Sequence, residues 1–275
     1  FVVDMSDGSM LWKYTYGTNS SMLYDLPGEA AVVDTDNDGF KDRAYIGDVY
    51  GNVWRFNFCK ASQGEECNTS DWAGSKLFSS TAGVPIYSAP TLTFDTSGNI
   101  WVCVATGDKT DPQGTGTSKT GAVYCIKDSD ASTTYSLSDL EDVTSSSAAT
   151  DSSKKGWYLG FGNGSGEKSL ADLVIQDRKL SITTYLPPTG SACCGAEGTA
   201  YLYILNVFTG EGEIGKTASS SGTRCESIGT GIPSGAVVST NPETGLDDIY
   251  ISTSTDGGDP KKWTGSTMSY TDPKT

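Results

Sequence analysis

Residues 32–56 read VVDTDNDGFKDRAYIGDVYGNVWRF, and this stretch decides the fold. Its second part has two runs rich in aromatic and β-branched residues, RAYIGD and NVWRF, around the turn signal VYGN, which predicts a β-hairpin. Its first part carries four aspartates at alternating positions. The stretch therefore predicts an acidic loop that leads directly into a hairpin. An ion bound in this loop would either carry the function of the protein or stabilise the hairpin.

The acidic loop has the spacing of a calcium-binding loop. In the pattern D-x-D-x-D-G-x-x-D the aspartates present carboxylates to one centre, and the glycine permits a sharp turn. The predicted ligands are Asp34, Asp36, Asp38, the backbone carbonyl of Phe40, and Asp42. All of these ligands are hard oxygens, so the predicted cofactor is Ca²⁺ and not a transition metal.

Two features of the loop indicate what kind of calcium site it forms. An EF-hand has a bidentate glutamate at the last position of its loop, where this chain has Tyr45 at the start of a predicted strand. Neighbouring carboxylates repel one another without a cation, which favours a bound ion over an acidic turn that is merely solvated. We therefore expect a calcium loop on a β scaffold, in which the ion has a regulatory or a structural role.

Composition excludes several classes of function. The 275 residues carry a net charge of −15, which argues against binding to nucleic acid or to an anionic membrane surface. The chain contains no histidine, so imidazole metal ligands and histidine-based catalytic triads are excluded. No apolar run reaches about 18 residues, the length that a membrane-spanning helix requires. We expect no catalytic site, and the aspartates in glycine-rich loops are interpreted as turn residues: Asp108, Asp111, Asp256 and Asp259.

Seven cysteines, none of them in a C-x-x-C motif, are typical of an exported protein with disulfides. Cys59 and Cys67 flank a polar loop, and Cys103 and Cys125 lie on two candidate strands that could be neighbours. Cys225 could pair with one cysteine of the doublet Cys193–Cys194. These pairings predict up to three disulfides and one remaining thiol.

The rest of the chain predicts an all-β protein. Short strand-like runs alternate with turns rich in Gly, Asp and Asn, which is typical of a sandwich, a barrel or a propeller. A loose repeat favours the propeller, because several segments combine a strand, a turn and often a second strand with an aromatic residue: FVVDMSDGSMLWKY, AYIGDVYGNVWRFN, AVYCIKD and LYILNVFTGEGE. The repeat resembles the blade hairpin of quinoprotein-like propellers. We expect a modified or partial quinoprotein-like β-propeller of about five to seven blades, at about 40–50 residues per blade.

Residues 1–275 are expected to form a single β-propeller domain or most of one. The chain starts inside a predicted strand without an initiator methionine, so we expect a fragment of a longer protein. Residues 128–155 are rich in Ser, Thr and Asp and interrupt the strand pattern as a predicted insertion. Within it, SLSDLEDV predicts one short helix capped by Ser136 or Ser138.

The motif AAVVDTDNDGFKDRAYIGDVYGNVWRFNF resembles the calcium-loop blade of PilC/PilY-type proteins, which are type IV pilus biogenesis factors and tip adhesins. The similarity joins the acidic loop, Y-x-G-D and G-N-x-W-R-F at the family's spacing. Further segments are similar in the same order along almost the whole chain, among them PIYSAPTL, GWYLGF and TTYLPPTGSACCGAEGTAYLYILNVFTG. The doublet Cys193–Cys194 departs from the family pattern, where one cysteine is usual.

This resemblance implies a function. It implies the C-terminal, quinoprotein-like propeller of a protein at the cell surface, at the pilus tip or in the periplasm of a Gram-negative bacterium. It further implies that the domain supports pilus assembly or extension and surface adhesion, with calcium in the acidic loop tuning both. The implied partners are minor and major pilins, together with a host or abiotic surface.

Two alternative functions remain open at this point. Some quinoprotein dehydrogenases are propellers that place a vicinal disulfide from an A-C-C motif beside pyrroloquinoline quinone and calcium, and SACC at residues 191–194 matches that motif. Their calcium, however, is not held by a contiguous aspartate loop, and their eight blades do not fit in 275 residues. The second alternative is a non-adhesive structural scaffold that is seated on minor pilins.

Overall fold

The computed structural model describes residues 1–58, 68–114, 119–130, 132–188, 197–255, 257, 260–264 and 269–271. Within these ranges the regular structure is β-strand, with short 3-10 turns at Thr69–Asp71 and Leu137–Asp139. No helix in the described ranges is long and apolar enough to cross a membrane. The predicted Cys59–Cys67 pair and the Cys193–Cys194 doublet lie outside them.

The strands form one hairpin and four larger sheets, which we call sheets I to IV. The hairpin consists of β1 (Val2–Val3) and β2 (Met10–Trp12). Sheet I contains β3 (Ala31–Val33), β4 (Arg43–Gly47), β5 (Val53–Asn57) and β6 (Ala73–Ser79). Sheet II contains β7 (Thr91–Phe94), β8 (Ile100–Ala105) and β9 (Ala122–Asp128). The next strands are β10 (Tyr135–Ser136), which joins sheet I, and β11 (Glu141–Asp142) and β12 (Gly156–Gly160), which join sheet II. Sheet III contains β13 (Lys168–Ser169), β14 (Val174–Gln176), β15 (Lys179–Leu186), β16 (Thr199–Asn206) and β17 (Cys225–Thr230). Sheet IV contains β18 (Val237–Thr240), β19 (Asp247–Ile251), β20 (Lys261–Thr264) and β21 (Ser269–Thr271).

Each larger sheet is built on an antiparallel meander, and neighbouring sheets pack face to face. Three hydrophobic cores fill the spaces between sheets I and II, between II and III, and between III and IV. Strand β8 contributes to two of these cores. Val102 and Val104 face the core between sheets I and II, while Trp101 and Cys103 face the core between sheets II and III. A strand with a core on each face has a continuous run of apolar residues. Sheets that stack face to face with a core between each pair are the arrangement of propeller blades. The all-β propeller prediction is therefore confirmed.

The described residues form five sheets, one of which is the two-stranded β1–β2 hairpin, and chain length predicted five to seven blades. Sheets I and II together extend over residues 31–160, so each sheet uses more chain than the 40–50 residues typical of a propeller repeat. The extra residues lie in the links between strands and in the segment 128–155.

Segment 128–155 is integrated into two sheets. Its strand β10 pairs in parallel with β6, and β11 pairs in parallel with β12. Tyr135, Leu140 and Val143 are buried in the cores, so part of the predicted insertion packs inside the domain. The predicted short helix is a single 3-10 turn after Ser136, whose backbone N–H and hydroxyl both donate to Asp139 Oδ2, at 2.8 and 2.7 Å.

The predicted disulfide between Cys103 and Cys125 is present, and both residues are fully buried. The two cysteines face each other directly in the register of β8 and β9, with their Cα atoms 4.1 Å apart. The bridge therefore fixes two neighbouring strands at the centre of sheet II.

Replacing both cysteines, in Cys103→Ala/Cys125→Ala, should lower the free energy of unfolding by about 3 kcal/mol, because the unfolded chain regains the entropy of an open loop. Guanidinium unfolding followed by tryptophan fluorescence measures this. The control is Cys225→Ala, which removes a partly exposed thiol and should cost less than about 1 kcal/mol. Equal stability of the double variant and the parent would contradict the prediction.

Candidate metal site and the charged network beside it

The acidic loop connects β3 to β4, at the edge of sheet I. One carboxylate oxygen from each of Asp34, Asp36 and Asp42 lies within 4.8 Å of the others. The loop turns through residues with left-handed backbone conformations, Asn37 at φ 62° and Gly39 at φ 96°. The spacing of the sequence thus brings three of its four predicted carboxylates to one centre.

Asp42 provides the clearest sign that the loop can hold a cation. Its side chain is buried, and its Oδ2 accepts hydrogen bonds from the backbone N–H and the hydroxyl of Thr35, both at 2.6 Å. Its Oδ1 is buried and has no hydrogen-bond partner among the described residues. A buried carboxylate oxygen without a partner is costly, and coordination of a cation would satisfy it.

Asp34 is held in place by the loop's own backbone. Its two oxygens accept the N–H groups of Asn37, at 2.6 Å, and Gly39, at 2.8 Å. Partial desolvation raises the pKa of Asp34, but these backbone hydrogen bonds outweigh it, and the net pKa lies below its ordinary value. The carboxylate is therefore kept in the ionised form that a cation requires.

The other two predicted ligands lie differently. Asp38 is outside the group of three carboxylates, and its Oδ1 accepts the N–H of Phe40 at 2.8 Å. The Phe40 side chain is 66% exposed. The donors that the loop does bring together are carboxylate oxygens only, and this set suits a hard divalent cation such as Ca²⁺.

A buried charged network begins at the residue after the loop. Arg43 donates to Asp128 Oδ2 at 3.1 Å, and the Tyr45 hydroxyl donates to the same oxygen at 2.6 Å. The fully buried Arg55 donates to Asp128 Oδ1 at 2.6 Å and to the carbonyl of Asp130 at 2.8 Å. Burial raises the pKa of Tyr45, and the Asp128 charge raises it further, so its hydroxyl remains a donor. The network joins the loop of sheet I to the end of β9 in sheet II.

The hairpin after the loop is closed by a buried aspartate. Asp48 accepts from the N–H of Tyr50 and both nitrogens of Asn52, at 2.7–2.9 Å, and from Trp54 Nε1 at 3.0 Å. Sheet II repeats this turn in the sequence DTSGNIW, where Asp95 binds Asn99 and Trp101 in the same way. The second copy was missed in the sequence, although the shared pattern D-x-x-G-N-x-W could have revealed it.

Other residues singled out in the sequence have ordinary roles where they are described. Asp108 accepts from Thr110, and Asp111 accepts from the N–H of Gly114, which confirms them as turn residues. Asp256 and Asp259 lie outside the described residues. Cys225, for which a pairing with one cysteine of the 193–194 doublet was open, is a free thiol, and the doublet itself lies outside the described residues. Its Sγ lies 3.8 Å from Asn163 Oδ1, and burial raises its pKa.

Comparison with known proteins places this geometry in context. No family model matches the chain. Two relatives from Xylella fastidiosa strain Temecula1, each named a type IV pilus biogenesis factor PilY1 homolog, are 25% identical over 263 and 232 residues. The matches cover 83% and 77% of this chain but 18% of either relative, so the chain spans under a fifth of their length.

The fold gives an independent comparison. The crystal structure of the Pseudomonas aeruginosa PilY1 C-terminal domain superimposes with a TM-score of 0.66 and 20% identity, covering 92% of this chain and 64% of that one. The resemblance stated from sequence motifs is confirmed by both comparisons. In sequence the chain is similar to these PilY1 homologs, and in fold it is similar to the PilY1 C-terminal domain.

Proposed function

We propose that this domain binds Ca²⁺ in the acidic loop and supports the assembly or extension of type IV pili and their attachment to surfaces. The pilus role is supported by the names of the sequence relatives, and the fold is that of the PilY1 C-terminal domain. The calcium role is supported by one observation above all. Asp42, a member of the three-carboxylate group, has a buried oxygen that no described residue hydrogen-bonds.

We assign the ligands as follows. Asp34, Asp36 and Asp42 form the part of the site that is already assembled, and Asp38 and the Phe40 carbonyl complete it when the ion binds. The ion supplies positive charge that offsets carboxylate repulsion and fixes the turn between β3 and β4. Because Arg43 directly follows Asp42, the ordered loop also positions the guanidinium that pairs with Asp128.

The proposed partners are minor and major pilins and a host or abiotic surface, with the protein at the pilus tip, on the cell surface or in the periplasm. The scaffold alternative shares the pilin contacts and lacks the surface contact. The dehydrogenase alternative depends on the Cys193–Cys194 doublet, which lies outside the described residues.

Allelic replacement in the native host tests this proposal with the full-length protein. Asp36→Asn is the test variant because Asp36 is exposed, and the matched control Asp172→Asn removes an exposed charge away from the loop. We expect the test variant to reduce surface piliation, scored by electron microscopy, or attachment, scored by adherent cell counts, while the control behaves as wild type.

The pattern of loss separates the two pilus roles. Attachment lost with normal piliation supports an adhesin, and piliation lost together with attachment supports an assembly factor. Normal piliation and attachment after complete removal of the gene would contradict a pilus function.

A further inference from the structure

A half-open cavity of about 200 Å³ lies away from the acidic loop, where links from three sheets meet. Its walls come from the β6–β7 link, the β8–β9 link and the start of β13. Backbone hydrogen bonds tie these segments together: Gly107 N–H to the Pro85 carbonyl at 2.9 Å, and Ser169 N–H to the Thr106 carbonyl at 3.1 Å. These bonds hold parts of the three segments next to one another at the cavity.

A buried ammonium group lines this cavity. Lys168 is 1% exposed, and its Nζ donates to the backbone carbonyl of Asp111 at 2.7 Å. An ammonium has three donors, and among the described residues this is the one hydrogen bond that Lys168 Nζ makes. Burial lowers the pKa of Lys168, and the charges of Asp111 and Asp108 offset only part of this effect. Its other two donors are the ones that a ligand in the cavity would use.

A second ammonium group lines the cavity at its exposed side. Lys119 donates to the carbonyl of Ala82 at 2.7 Å and lies next to Gly83, another lining residue. The lining thus offers two cationic groups from different links of the fold.

Two carboxylates balance these charges. Asp108 Oδ1 accepts from Thr110, Asp111 Oδ1 accepts from the N–H of Gly114, and the charges of both carboxylates act on Lys168. A simple anion in the cavity would be repelled by these carboxylates, and a simple amine would be repelled by the lysines. A ligand carrying both a carboxylate and an ammonium group can pair with both sets.

We propose that this cavity binds a small zwitterion of the α-amino acid class. The ligand carboxylate accepts from Lys168 and Lys119, and the ligand ammonium donates to Asp108 or Asp111. The volume of about 200 Å³ corresponds to about seven water molecules at ~30 Å³ each, which admits a small amino acid.

Isothermal titration of the purified chain with glycine and L-alanine tests the proposal, with acetate and methylammonium as single-charge probes. We expect both amino acids to bind at one site, and both single-charge probes to bind about tenfold more weakly because each loses one charge-assisted pairing. Acetate binding as tightly as alanine, or no amino acid binding at all, would overturn the proposal.

Variants locate the site. Lys119→Ala removes an exposed side chain, so the melting temperature should stay unchanged while alanine affinity falls about tenfold. Lys109→Ala is the matched control, because Lys109 lies in the same link as Asp108 without lining the cavity, and it should bind as the parent does. Lys168→Met should abolish binding. Since this buried change could also unfold the chain, the decisive comparison is Lys119→Ala with Lys109→Ala, and equal affinity of these two would overturn the assignment.

Discussion

Replacing Arg55 with methionine should lower the free energy of unfolding by about 4 kcal/mol, because it leaves a buried carboxylate without its main partner. Both side chains of the Arg55–Asp128 pair have no solvent exposure, and their closest atoms are 2.6 Å apart. The loss exceeds that of one ordinary hydrogen bond, since Arg55 also donates to Ser75 Oγ and to the carbonyl of Asp130. Urea unfolding monitored by tryptophan fluorescence provides the measurement.

Two further variants distinguish a charge effect from a packing effect. Arg43→Met should cost about 1 kcal/mol, because Arg43 is partly exposed and Asp128 keeps its contact with Arg55. The double variant Arg55→Met/Asp128→Leu should recover part of the loss, since no unpaired charge remains buried. A single Arg55→Met variant within about 0.5 kcal/mol of the parent would show that the pair does not hold sheets I and II together.

Asp48→Ala should have an effect of similar size, about 4 kcal/mol. The substitution leaves four N–H donors around the hairpin turn without their acceptor: the N–H of Tyr50, both nitrogens of Asn52, and Trp54 Nε1. Asp48, Asn52 and Trp54 are all buried, so water cannot readily replace the lost acceptor. Thermal and chemical unfolding of the variant measure the loss.

The chain contains its own matched control for this change. Asp95 makes the same set of contacts in the repeated turn of sheet II, but Asp95 and Asn99 are partly exposed. Asp95→Ala should therefore cost clearly less, about 1–2 kcal/mol, because water can reach the freed donors. Equal losses of unfolding free energy in the two variants would mean that burial of the aspartate does not determine how much this turn stabilises the fold.

Local sequence signals predicted much of the fold. The hairpin at residues 43–57 could be predicted because its turn residues and its alternating strands lie within one short stretch. The Cys103–Cys125 disulfide could be predicted because both cysteines lie in strands of consecutive order. The pairing of β10 with β6 could not, because two-residue strands carry no periodicity and their partners lie far away in the sequence.

Part of the candidate site could also be predicted from local sequence, and part of it could not. Aspartate spacing predicted that four carboxylates converge, and three of them, Asp34, Asp36 and Asp42, lie in one group while Asp38 does not. The burial of Asp42 and its bonds to Thr35 depend on how the loop packs on sheet I, which spacing does not encode. The Arg55–Asp128 pair spans 73 residues of sequence, and no local pattern connects the two positions.

A calorimetric titration of Ca²⁺ into the purified chain and its Asp36→Asn variant, with melting curves in calcium and in chelator, tests the central claim most directly. We predict a single site in the parent, loss of that site in Asp36→Asn, and full binding in the Asp172→Asn control. At tenfold excess over Kd, calcium should stabilise the parent by about 1.4 kcal/mol. A parent chain that shows neither binding heat nor a shift in melting would contradict the claim, and the acidic loop would then be a solvated turn.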